Sequence, residues 1–163
     1  MRSRRAVLGL GLGCALGLSG CLGVVPFSPR AYDEAVRVEA VDVAFTREGA
    51  GVLTLKLQVK NPSSDAATLV RVDFDLRVDG RRVATGEQVM GVPLDGHGEV
   101  PLEVRFPLAV ARGGGRPERG SHAVRVAGGV VLRFGGSERR APFQDARSLD
   151  IAWMPGGESS PAP

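Results

Sequence analysis

The chain has 163 residues, 43% of them hydrophobic and 24% charged, which suits one domain with a sizeable core. Its formal charge of +3 comes from Arg2, Arg4 and Arg5, and the chain beyond Gly20 keeps 18 basic residues against 18 acidic ones. A balanced domain of this kind lacks the basic footprint that nucleic acid or an anionic lipid surface would attract, so neither is an expected partner through charge.

Residues 1–20 read as a secretory leader. The arginines form a basic n-region, and Ala6–Leu18 is an apolar stretch too short for the ~20 residues that span a bilayer. Leu18-Ser19-Gly20-Cys21 places small residues before a cysteine and leucine one position further back. It resembles the bacterial lipobox, in which the cysteine thiol takes a diacylglycerol and cleavage exposes that cysteine as the new N-terminus. This resemblance implies lipidation at Cys21 and a lipoprotein of the bacterial cell envelope, partnered with membrane through its N-terminal lipid. Leu22 stands where an inner-membrane retention signal often has Asp, which favours the outer membrane, facing the periplasm. Ser3-Arg4-Arg5-Ala6-Val7-Leu8 also resembles a twin-arginine export motif, with Val7 where the pattern prefers Phe, so the general and twin-arginine routes both stay open. Cys14 leaves with the leader and Cys21 is used by the lipid, so the remaining domain has no thiol for a disulfide and depends on its core.

In chain order, residues 21–35 read as the lipidated cysteine and a tether, with a helical turn over Ala31–Ala35. Val36–Phe45 is the first strand. Its apolar parity changes between Val38 and Val41, which predicts a bulge near Glu39–Val41 or a crossing between sheets there. Leu53, Leu55, Leu57 and Val59 then alternate with polar residues, as do Val72, Phe74, Leu76 and Val78 with Asp73, Asp75 and Arg77. Successive strand side chains point to opposite faces, so each segment has one apolar and one charged face. Asn61-Pro62 closes the first of this pair and Asp79-Gly80 turns the second as a hairpin. Arg82–Val89 reads as a short edge strand and Gly91–Gly98 as loop. Val100–Leu108 alternates again, with Pro101 and Pro107 on the outward parity, which places it at a sheet edge. His122–Phe134 is a long strand whose Gly128-Gly129 suggests a kink or bulge. Arg139–Ile151 is the last strand, with a possible break at Pro142, and residues 153–163 read as a disordered tail.

About seven strands, frequent turns and no amphipathic helix predict an all-β fold. The expected architecture is an immunoglobulin/fibronectin-III-like antiparallel β-sandwich over residues 36–152. The Cys…Trp…Cys spacing of antibody domains is missing, since Trp153 lies at the C-terminal end.

With the strands placed, the order of Val59, Asn61, Pro62, Leu69, Val72, Phe74, Leu76, Val78, Gly80, Val83, Ala84 and Gly86 resembles the late embryogenesis abundant (LEA) type 2 family. Its domains are also called water-stress and hypersensitive-response (WHy) domains. Ser63-Ser64-Asp65 departs from the family, which often has a second Asn or an aromatic there, and the Gly-rich Arg112–Gly120 segment looks like an insertion. The resemblance implies a fibronectin-III-like sandwich and a role in desiccation or stress tolerance. It further implies action by weak, non-catalytic contacts with protein clients or membrane, and no cofactor. Asn61, Pro62, Gly80 and Gly86 are the motif residues it singles out.

Little in the chain points to catalysis or to a small-molecule substrate. His97 and His122 lack companions at metal-ligand spacing, and Ser121 and His122 are strand neighbours whose side chains diverge. Asp73, Asp75 and Asp79 form a carboxylate row suited to a divalent cation or to keeping a sheet soluble, and the solubility role is the simpler one. Asn61 suits a backbone-bonding role at a strand end better than a binding groove. Two further functions remain in view. One is an envelope assembly or pilot lipoprotein that holds a partner at a sheet edge or face. The other is an enzyme, which would need a pocket gathering a histidine with carboxylates.

Overall fold

The computed structural model describes residues 29–45, 50–109 and 120–153. Helix α1 (Pro29–Asp33) precedes eight strands: β1 (Val36–Phe45), β2 (Ala50–Lys60), β3 (Ala67–Val78), β4 (Arg81–Leu94), β5 (Glu99–Ala109), β6 (Ser121–Phe134), β7 (Ser137–Asp150) and β8 (Ala152–Trp153). They form two sheets, ordered β5-β2-β1-β8 and β4-β3-β6-β7. Every pairing is antiparallel except the two-residue parallel contact of β8 with β1. The fold is an all-β sandwich of immunoglobulin/fibronectin-III-like strand order.

Alternation in the sequence becomes burial in the fold. Leu53, Leu55, Leu57 and Val59 of β2 are buried against Val72, Phe74, Leu76 and Val78 of β3, with Val104, Phe106 and Leu108 of β5 and Val124, Val126, Val130 and Leu132 of β6. Phe74 and Phe106 meet between the sheets with ring centroids 4.4 Å apart. The bulge expected in β1 falls between Val38 and Ala40, so Val36 lies inside on one parity and Val41, Val43 and Phe45 on the other.

Several elements differ from the sequence reading. β4 is not a short strand followed by loop: it runs 14 residues to Leu94, with Gly91 and Pro93 inside it. An edge strand tolerates Pro93 because its outer side carries no ladder hydrogen bonds to lose, and Gly91 sits in the register slip opposite Val70. β7 likewise passes through Pro142 unbroken, with Pro142 in register with Gly129. β6 keeps its register through Gly128-Gly129, and the bulges in this sheet lie instead at Val70 of β3, between Leu69 and Arg71, and at Val83 of β4. The helical turn comes two residues early. It belongs to the domain rather than to a tether, since Tyr32 and Ala35 are both core residues. At the other end Trp153 pairs with Phe45 in β8, which takes it out of the expected tail. The leader, Cys21 and residues 154–163 lie outside the described residues.

Candidate binding face

Asn61 stands where β2 ends, and its side chain is fully buried. Its Nδ2 donates to the Asp65 carbonyl at 2.8 Å and to the Asp95 carbonyl at 2.9 Å, while its Oδ1 accepts from the Ser63 amide at 3.0 Å. Its own amide donates to the Gly98 carbonyl at 2.9 Å. Both side-chain donor hydrogens are thus used inside the fold, knitting the 61–66 turn to the 95–98 turn. A residue so enclosed has nothing to offer a groove. Ser63, also buried, extends the junction: its Oγ accepts from the Asp65 amide at 3.1 Å, and its carbonyl accepts from the His97 amide at 2.7 Å. His97 adopts a left-handed φ of 55° in this turn. Sequence reading singled out Asn61 and Pro62, whereas Ser63 stood out only as a departure from the family pattern, because the His97 amide that its carbonyl meets lies in a turn more than 30 residues away.

The other two motif glycines have separate causes. Asp79-Gly80 forms a two-residue hairpin loop with φ of 49° and 79°, the left-handed pair that a type I′ turn requires. Gly86 faces Phe74 across the β3–β4 ladder, and a Cβ there would stand 2.7 Å from the Phe74 ring. Phe74 therefore needs Gly86 beneath it to reach Phe106.

Asp73 and Asp75 lie on the outer face of the β4-β3-β6-β7 sheet while Asp79 falls in the turn that follows β3, so the three do not form one row, and each has a cationic or imidazole partner. Asp73 accepts two bonds from the Arg140 guanidinium, at 2.6 and 3.2 Å, across the intervening β6. Arg140 passes over Gly129, where a Cβ would come within 2.4 Å of the guanidinium carbon. Asp75 meets Arg82 at 2.6 Å and Arg77 at 3.4 Å. Asp79 lies 2.7 Å from His122 Nδ1 and accepts from the Ala123 amide at 3.0 Å. The His122 contact, followed by the Ala123 amide, holds the Asp79 carboxyl below its ordinary 3.8. Among the described residues, no group of three or more His, Cys, Asp or Glu could hold a metal ion.

A shallow trough of about 600 Å³ runs over this face, with Asp73 and Asp75 on one wall, Arg140, Pro142 and Gln144 on the other, and Ala127 and Gly128 between them. Asp33, the last residue of α1, adds a third carboxylate at its side. The two histidines are far apart in role: His97 is in the Asn61 junction and His122 is on the Asp79 turn. Neither lines this trough. Ser121 and Ser148 share a hydroxyl hydrogen bond of 2.6 Å across β6 and β7.

A two-sheet domain with a saturated buried junction and a charge-paired outer face is the class these features define. No family model matches the chain, and no curated protein matches it in sequence. Solved structures do match in fold. A protein from Arabidopsis thaliana, known by its solution structure, superposes with a TM-score of 0.58 at 15% identity, covering 88% of this chain and 92% of its own. A candidate late embryogenesis abundant (LEA) protein, also a solution structure, gives 0.54 at 18% identity, over 72% of this chain and 70% of that one. A crystal structure of a protein from Archaeoglobus fulgidus gives 0.50 at 14% identity, over 72% of this chain and all of that one. The chain is thus LEA-like in fold.

Proposed function

We propose that this chain is a non-catalytic LEA-type-2-like lipoprotein, anchored through a lipid on Cys21 and facing the periplasm, that protects clients by weak contacts during water stress. The observation carrying this reading is the fold shared with the LEA protein at a TM-score of 0.54. The Asn-Pro junction and the Gly80 and Gly86 sites, all in use within this sandwich, add support. The paired outer face suits weak contact: its charges are held by neighbours and its groups stay hydrated, so no single strong site is built. The test adds a soluble form, residues 22–163, to a labile enzyme through drying and freeze–thaw cycles, beside an inert β-sandwich of equal mass. Protection above that control is the expected outcome. Protection no better than the control sinks the stress-protective reading.

One feature favours the pilot reading instead. Among the described residues β4 is a 14-residue edge strand, and it carries Val89, which is 77% exposed. Register slips blunt that edge at two places: Val83 is the extra residue between Ala84 and Arg82, and Met90-Gly91 stand against Val70. Such bulges discourage strand addition, leaving only the six residues from Ala84 to Val89 as a regular edge. A partner crosslinked at Val89 in native membranes would move the assignment to that role.

A further inference from the structure

Helix α1 sits at one end of the sandwich. The Tyr32 ring packs edge-on to Phe134 with centroids 6.4 Å apart, and Tyr32 is only 3% exposed. The Ala35 carbonyl accepts from the Lys60 amide at 2.7 Å. Phe134 ends β6 and Lys60 ends β2, so α1 is held beside the Asn61 junction and the Gly135-Gly136 turn. The opposite end carries the Asp79-Gly80 turn and the start of β6 at Ser121.

We propose that docking of α1 fixes which end of the domain meets the lipid surface, with the Asn61 and Gly135-Gly136 turns towards the membrane and the Asp79-Gly80 turn away from it. The proposal rests on the reading of Cys21 as the lipid anchor. Its argument is one of lengths. β6 has 14 residues, and at ~3.3 Å per step it measures ~43 Å from end to end. From Cys21 to Pro29 there are eight steps, which span at most ~29 Å whatever their conformation. The docked domain therefore cannot readily turn over to bring its far end to the membrane. Were α1 free, the connection would run 15 steps to Val36 and reach ~54 Å, longer than the domain itself. Tyr32 and Ala35 convert a tether that permits inversion into one that opposes it.

The chain beyond Cys21 has no cysteine, so single labels are clean. Ser137→Cys opens β7 at the near end, and Arg81→Cys opens β4 at the far end. Each is made in the full chain, purified in its lipidated form, labelled with a fluorophore and placed in phosphatidylethanolamine/phosphatidylglycerol vesicles carrying a headgroup quencher. Quenching several-fold stronger at residue 137 than at residue 81 is the expected result. A Gly-Ser insertion of about twelve residues before Pro29 adds ~40 Å of reach and should bring the two labels together. It leaves every described residue untouched, so it stands even if Tyr32→Ala, expected to act in the same direction, unfolds the domain. Equal quenching without the insertion overturns the proposal. So does an asymmetry that survives the insertion, because the domain's surface rather than its tether would then set the orientation. Flotation separates this from a failure of the anchor: a chain that does not float with vesicles, or a Cys21→Ser form that floats as well, overturns the anchor and the orientation together.

Discussion

Asn61 concentrates in one side chain what joins two turns distant in sequence. Alanine there would strand two carbonyls and the Ser63 amide, and the expected loss is about 2–3 kcal/mol in urea unfolding. Asn61→Asp separates bonding from packing. It is nearly the same shape but sets a carboxylate against two carbonyls, and at neutral pH it should destabilise at least as much as alanine. Asp79 gives a pH signature. Its folded pKa lies below the unfolded value near 3.8, so the native state holds fewer protons than the unfolded chain in acid. The stability it supplies is therefore complete above about pH 5 and lost as pH falls through the unfolded and then the lowered folded value. Asp79→Asn, which keeps a residue that accepts the left-handed turn, should have a midpoint that falls less steeply than the parent's between pH 5 and pH 2. Parallel curves would mean that the His122 contact adds nothing to folding.

Among the elements, β3 is an inner strand of its sheet, paired with β4 on one side and β6 on the other. Phe74 at its centre touches the Gly86 position along the sheet and Phe106 across the sandwich. Phe74→Ala should cost ~3–5 kcal/mol and loosen β4 first, as amide exchange along Ala84–Val89 would reveal. The glycine pair of β6 offers a sharper comparison. A Cβ on Gly128 would meet the Asp73 carbonyl oxygen at 2.0 Å, so Gly128→Ala must push β3 and β6 apart and should cost ~3 kcal/mol. On Gly129 the obstacle is the far end of Arg140, which can swing into water at the loss of a surface ion pair worth ~1 kcal/mol or less. Unfolding midpoints that are equal for the two alanine variants would contradict this placement. Such neighbours look alike in sequence, where the pair suggested only a kink or bulge.

At the scale of the whole molecule, Cys21→Ser should release the protein from the membrane fraction, and continued fractionation with membranes would rule out the lipid as the sole anchor. What the sequence determined by itself is the local pattern. Alternation in Leu53–Val59 and Val72–Val78 set the inward face, the phase change in Val36–Phe45 marked a bulge, and Asp79-Gly80 and Asn61-Pro62 marked strand ends. These are legible because side-chain direction, turn conformation and the missing proline donor depend on a few adjacent residues. The Val70 bulge was nearly legible too, since apolar parity changes between Leu69 and Val72, but Val70 itself makes that run continuous and hides the change. Tertiary structure alone decided the rest. Arg140 lies 67 residues from Asp73 and His122 lies 43 from Asp79, so no spacing rule links them. The length of β4 depended on its place at an edge, where Gly91 and Pro93 cost little, and the docking of Tyr32 depended on Phe134 waiting at the end of β6. Each is a pairing between segments brought together only when two apolar faces close on each other, and a linear pattern holds no record of which partner closes on which.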